Sequence, residues 1–289
     1  MSGPINLSHT KKLPEVQKMK KLFTLLILTL SLSTLAANSY YPTDFNSKLQ
    51  KGGLANEKLK DALFELLSTA HTKRRGKADT LGCDGTEGLC YSQKVLGYKG
   101  ARKVLFGKLH LEEGQNGYFL KDVYCRKVFT SSQTNIGPNR IPNSNMLNCE
   151  HTWPQSKFSR NFEKEMQKSD LHHLYPTDSK ANSIRGNYEF GNVDDYGEIR
   201  NCEASHSEAP GHFEPPTEHK GNVARALFYF AVRYKMKISP EQERTIKEWN
   251  IQDPVDAAER ERNDGIYEVQ GNRNPFIDYP ELSERINDF

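Results

Sequence analysis

The stretch from Leu22 to Leu35 is apolar apart from serine and threonine, follows the basic start Lys18-Met19-Lys20-Lys21 and ends at Ala36-Ala37. A charged start, a short apolar stretch and small residues mark a secretory signal, and the run falls short of the roughly 20 apolar residues that a membrane span requires. Residues 19–36 are therefore predicted to be a cleaved signal peptide, and residues 1–18 an upstream extension, since Met19 opens a complete signal by itself. What remains, residues 37–289, is expected to be periplasmic or secreted, without stable membrane association. That compartment lets cysteines oxidise. All five (Cys83, Cys90, Cys125, Cys149, Cys202) lie in the exported part, and an odd number leaves at least one unpaired or paired with another chain. Cys83 and Cys90 bracket a glycine-rich loop and are expected to pair locally; Cys149 with Cys202 is the second expected pair.

Export also changes the charge argument. Lys11, Lys12, Lys18, Lys20, Lys21 and Glu15 leave with residues 1–36, which takes the formal charge from +3 to about −1. Net charge then gives no support for a polyanionic partner. Two local basic clusters remain: Lys73-Arg74-Arg75 with Lys77, and Lys94, Lys99, Arg102, Lys103 and Lys108 interleaved with Tyr91 and Tyr98. Each reads first as a solvated face and second as a phosphate contact.

The exported chain reads as one α+β domain, with no internal repeat and no dividing linker. Leu59, Ala62, Leu63, Leu66, Leu67 and Ala70 recur at helical spacing. Residues 102–111 and 118–125 read as two strands of a hairpin turning near Gly114 and Gly117. A Pro/Asn/Gly-rich loop spans 135–145, a short strand 146–149 runs into Glu150-His151, and helices are predicted at about 155–168, 178–185, 222–236, 241–249 and 254–262.

Chemistry-bearing side chains concentrate in Asn148-Cys149-Glu150-His151-Thr152-Trp153-Pro154 and in the stretch from Ser169 to Tyr188. Phosphodiester hydrolysis needs an activated water, a cation on the phosphate and leaving oxygen, and a donor holding the phosphate. Here His151 is the candidate general base, because a neutral imidazole can take the water proton near neutral pH. Glu150 offers an anionic oxygen and Asn182 a neutral one, a sparse hard set that suits one Mg²⁺-type ion keeping several waters. Arg185 lies one helical turn after Asn182 and could clamp phosphate, or be held by a structural carboxylate such as Asp170. Neighbours on a regular strand face opposite ways, so the strand is expected to break at Glu150-His151, helped by Trp153-Pro154.

Cys-Glu-His-Thr-Trp-Pro at 149–154 and Asp-Leu-His-His-Leu-Tyr-Pro-Thr-Asp-Ser-Lys-Ala-Asn-Ser-Ile-Arg-Gly-Asn-Tyr at 170–188 resemble the bacterial endonuclease I family, exported nonspecific nucleases of the ββα-metal (His-Me finger) type. Further likeness lies at 101–107, 122–125, 261–264 and 270–278, so the resemblance covers roughly 55–282. It implies a finger core at about 118–190 within a nuclease domain at 37–289. In it Glu150 and Asn182 would bind the metal and His151 would activate water, giving 5′-phosphate ends. It implies DNA as substrate and RNA as a further one. No base-reading motif is present and the exported chain is nearly neutral, so cutting without strong sequence preference is expected, by a monomer. The family's phosphate-binding arginine has no clear counterpart; Arg160 is one candidate. His173 stands where related fingers often carry Asn, and both it and His172 are read as structural.

Two other readings remain: a zinc-dependent hydrolase using His151, His172 and His173 with Glu150 as base, and a non-catalytic exported binding protein. His206, His212 and His219 with Glu203, Glu208 and Glu218 lack compact metal-site spacing and read as a solvated loop. Asn272-Arg273-Asn274-Pro275 reads as a turn packed on the core.

Overall fold

The computed structural model describes Gly3 and residues 39–289, apart from 84, 86–87, 195–196 and 209. The predicted signal peptide and, apart from Gly3, the upstream extension lie outside the described residues. No described helix is long and apolar enough to cross a membrane.

A mixed α+β unit is built around helix α6, Thr217–Arg233, numbering helices and strands in chain order. Its residues Val223, Leu227, Phe228, Phe230 and Val232 are all buried, so apolar side chains cover several faces of the helix rather than one stripe. Around it pack α2 (Asn56–Ser68), α7 (Pro240–Gln252) and α9 (Pro275–Asp278), with Trp249 and Phe276 fully buried, and α1 (Thr43–Gln50) adds Phe45 and Leu49 to the same core. The caps are local chemistry. Ser239 accepts from the Gln242 N–H ahead of Pro240 in α7, and Asp256 accepts from the Glu259 N–H to start α8 (Ala257–Gln270). The 272–275 turn packs into the core as expected, with Asn274 capping α9 and Asn272 donating to the Tyr229 hydroxyl.

A second cluster joins α3 (Tyr98–Val104) to β5 (Gly117–Lys121) and β7 (Leu147–His151) through Ala101, Leu105, Phe106, Leu120, Leu147 and Cys149. Here the predicted strand at 102–111 is overturned. Residues 98–104 are α-helical and 105–109 continue as one wider π turn. Ala101, Leu105 and Phe106 are the buried residues, a helical spacing that the Val-Leu-Phe run disguises. Gly107 permits the close approach of this turn to the 135–145 loop, since a Cβ there would meet the Asn139 nitrogen at 2.5 Å. The hairpin exists one step later, β4 (Glu112–Gly114) against β5, with Gly114 opposite Gly117.

The predicted 155–168 helix is also corrected: a single 3₁₀ turn at Gln155–Lys157 precedes the short α4 (Lys164–Lys168). The intervening Ser159 is fixed instead by Gln167, whose side chain both accepts from its N–H and donates to its carbonyl. The His206–His219 stretch is no solvated loop. His206 lies in β11 (Cys202–Ser207), His212 in β12 (His212–Glu214), and His219 is buried on α6.

Cys83 pairs with Cys90 as expected. The second pair is Cys125–Cys202, not Cys149–Cys202; Cys149 is a buried free thiol in the second core cluster. A strand position facing a packed interior explains it: Cys149 sits mid-ladder opposite Pro176.

Candidate active site

β7 and β8 (Leu174–Asp178) form an antiparallel ladder that runs from Leu147 opposite Asp178 to His151 opposite Leu174, and α5 (Ser179–Arg185) follows at once. The Asp178 side chain caps α5 by accepting from the Lys180 and Ala181 N–H groups. Asp122 anchors the approach. Its carboxylate accepts from the backbone N–H groups of Tyr124, Cys125, Lys127 and Asp178, tying the 122–127 turn to the start of α5. Gly186, in left-handed backbone with φ 55°, ends the helix by donating to the Asn182 carbonyl.

The expected break at Glu150-His151 does not occur. The ladder continues through His151, and the chain turns away only at Thr152-Trp153-Pro154. Trp153 stacks on Phe230 with ring centroids 5.1 Å apart, and its indole N–H donates to the Lys157 carbonyl. The residues at 150 and 151 therefore leave the strand on opposite faces, with separate partners.

On one face Glu150, only 2% exposed, accepts at Oε1 from the Tyr124 hydroxyl (2.8 Å) and lies 2.9 Å from Arg185 Nη1. Its other oxygen makes no hydrogen bond among the described residues. On the other face His151 is enclosed by Tyr98, Phe158 and His173 at ring-centroid distances of 5.5, 6.1 and 5.4 Å. Its Nε2 lies 3.1 Å from the Lys168 carbonyl, which can only accept, so Nε2 carries the proton. Nδ1 is then the basic atom, facing the exposed Gln155 amide at 3.3 Å. Burial, with His173 second, lowers the His151 pKa to about 3, so the ring is neutral at physiological pH.

Asn182 is half-buried on α5, and its carboxamide has no hydrogen-bond partner among the described residues. One free carboxylate oxygen and one free carboxamide on adjoining elements are a hard-oxygen set that fits a Mg²⁺-type ion. Three imidazoles do not converge. No group of three or more His, Cys, Asp or Glu able to hold a metal occurs among the described residues. His172 and His173 direct Nε2 to the carbonyls of Asn272 and Gln167, as structural histidines do.

Arg185 departs from the phosphate-clamp expectation. It is 2% exposed, and besides Glu150 it donates to the His151 carbonyl (2.9 Å) and the Thr152 carbonyl (2.7 Å), with its guanidinium over the Phe190 ring. It is held by a carboxylate, but that carboxylate is Glu150. Asp170 is instead the centre of a buried network with Tyr229, Tyr234 and Gln270. Burial pushes its carboxyl up, yet His172, His173 and those hydrogen bonds outweigh it and hold the group below the usual range.

Residues 87–281 match the pattern of the family described as Endonuclease I. The chain belongs to this family. Among curated relatives, an extracellular ribonuclease of Bacillus subtilis is 38% identical over 163 residues, which are 48% of this chain and 53% of the relative. An extracellular ribonuclease of Bacillus amyloliquefaciens is 40% identical over 164 residues, 48% and 53% respectively. A periplasmic deoxyribonuclease of Aeromonas hydrophila is 30% identical over 137 residues, 46% and 56%. The chain thus spans about half the length of the curated relatives it matches.

Tyr124, Gln155 and the Lys168 carbonyl carry no signal in the residue types themselves. Only Tyr124 falls in a family-like segment, and its contact with Glu150 requires folding across 26 positions.

Proposed function

We propose that this endonuclease I family member is an exported, metal-dependent nuclease that hydrolyses phosphodiester bonds in DNA and RNA without strong sequence preference. The observation that carries this reading is His151. Its tautomer is fixed by a carbonyl, its ring is held neutral by burial, and its lone pair is left at Nδ1, facing the Gln155 amide. β7, β8 and α5 would be the two strands and helix of a ββα-metal finger.

Glu150 and Asn182 would hold one Mg²⁺-type ion, which supplies charge stabilisation at the leaving 3′ oxygen. His151 Nδ1 takes the proton of the attacking water, and its Nε2–H stays on the Lys168 carbonyl. In-line displacement divides the work this way, the base acting on the attacking oxygen and the ion on the leaving one. Arg185 positions Glu150 and the two carbonyls that follow it in the chain.

Relatives named both ribonuclease and deoxyribonuclease support two substrates. Relatives named extracellular and periplasmic, together with two disulfides, support export. The deciding experiment incubates folded, oxidised protein with plasmid DNA and with RNA, in Mg²⁺, in chelator, and as His151→Ala. Cutting in Mg²⁺ alone, lost in the variant, is expected. A wild-type protein that cuts neither polymer sinks the reading.

A further inference from the structure

Tyr98 opens α3 with its ring tilted over His151, centroids 5.5 Å apart. The same ring carries two cations. The Arg102 guanidinium, one helical turn on, lies 4.5 Å from its centroid, and Lys168 Nζ, from the last turn of α4, lies 4.4 Å away. Lys168 also supplies the carbonyl that holds His151 Nε2.

Among the described residues neither cation has a carboxylate within ion-pair distance, and Arg102 Nε is buried without a hydrogen-bond partner. The acidic residue beside them, Glu165, accepts instead from the Tyr98 backbone N–H. Both cations are half-buried, whereas Lys94, Lys99, Lys103 and Lys108 of the same basic stretch are exposed. Two like charges on one ring repel each other, and an unpaired, partly desolvated guanidinium is costly, unless an anion completes the arrangement. A planar guanidinium with free donors matches phosphate oxygens.

We propose that Arg102 and Lys168, carried by Tyr98, are the phosphate grip on the His151 side of the site and hold the backbone of the nucleic-acid substrate. This rests on the nuclease reading above. It gives the phosphate contact to Arg102 and Lys168, since Arg185 is buried and both of its terminal nitrogens are engaged within the protein.

The test uses the full protein with Mg²⁺ and a short DNA duplex, comparing wild type with Arg102→Met, Lys168→Met and Arg102→Lys. Binding is measured in parallel in the His151→Ala background as a function of salt. Each Met variant is expected to lose about 10-fold or more in kcat/KM. Each should also flatten the slope of log affinity against log salt by about 0.9 per lost phosphate contact, with Arg102→Lys restoring the slope. Unfolding temperature, followed alongside, should stay near wild type in Lys168→Met and Arg102→Lys. Unchanged salt slopes, together with kcat/KM within two-fold of wild type, in both Met variants overturn the grip, whatever His151→Ala does. If His151→Ala still cuts, the underlying assignment of the base fails, while the salt slopes continue to decide the grip by themselves.

Discussion

The Arg185 guanidinium and the Glu150 carboxylate form an ion pair of 2.9 Å in which both side chains are 2% exposed, and the same nitrogen donates to the carbonyl of His151. A contact of this kind is a strut: it fixes the end of β7 from within. Removing one partner strands a buried charge, which costs about 3–5 kcal/mol. Arg185→Met should therefore lose about 3 kcal/mol or more in urea unfolding together with its activity. A variant with full stability and a defect only in substrate binding would return Arg185 to the role of phosphate clamp.

The lowered pKa of His151 makes a second prediction. A base must be deprotonated to act, so an ordinary histidine would lose activity as pH falls through about 6.5. With its pKa pushed to about 3 by burial, His151 stays deprotonated across the whole range from pH 8 to 5. The kcat/KM profile of the wild type at saturating Mg²⁺ should show no loss with a midpoint near 6.5. His151→Gln should lower kcat by about 10²–10⁴-fold while remaining folded. A wild-type midpoint between 6 and 7 would mean that the ring is solvated in the working enzyme.

Much of the candidate site is legible in adjacent residues, because its proposed parts lie in two short segments. Glu150, His151 and Asn182 are placed by one ladder and one capped helix, and local signals such as Asp178 before Ser179 mark that helix. What escaped was set by distant partners. Val104-Leu105-Phe106 suggests a strand by residue type, and only its burial against β5 and β7 reveals the helical stripe. Cys125 meets Cys202 across 77 positions, which no spacing rule specifies. The fate of Arg185 turned on whether Glu150 faces α5 or solvent, and that is a matter of packing rather than of sequence.

The cysteines give a third prediction. Cys149 is buried, and burial, with Glu150 adding to it, pushes its thiol up to about 12. Native oxidised protein should present no rapidly reacting thiol to a disulfide reagent and one after denaturation. The Cys125–Cys202 bond adjoins Tyr124, whose hydroxyl holds Glu150. The double replacement Cys125→Ser/Cys202→Ser should cost about 2–5 kcal/mol and reduce activity, whereas Cys149→Ala should keep the disulfides and the fold. A fast-reacting thiol in the native protein would contradict the Cys149 environment.

Acid should unfold this protein through its buried imidazoles. Burial lowers His172 and His173 to about 4, the charge of Asp170 offsetting part of the effect, and lowers His219 to about 3 with Arg262 and Arg225 adding to it. The unfolded chain has ordinary histidines near 6.5, so above that pH neither state binds these protons and stability is independent of them. Between about 6.5 and 4 the unfolded state takes up protons that the native state refuses. Each histidine then costs about 1.4 kcal/mol per pH unit, or roughly 4 kcal/mol per unit for the three together. The unfolding temperature should be flat from pH 8 to 7 and fall steeply below 6. His219→Phe, filling the space between Tyr175 and Tyr124, should flatten that fall by about one proton's worth. An unfolding temperature that stays level down to pH 5 would show that these rings protonate freely in the native protein.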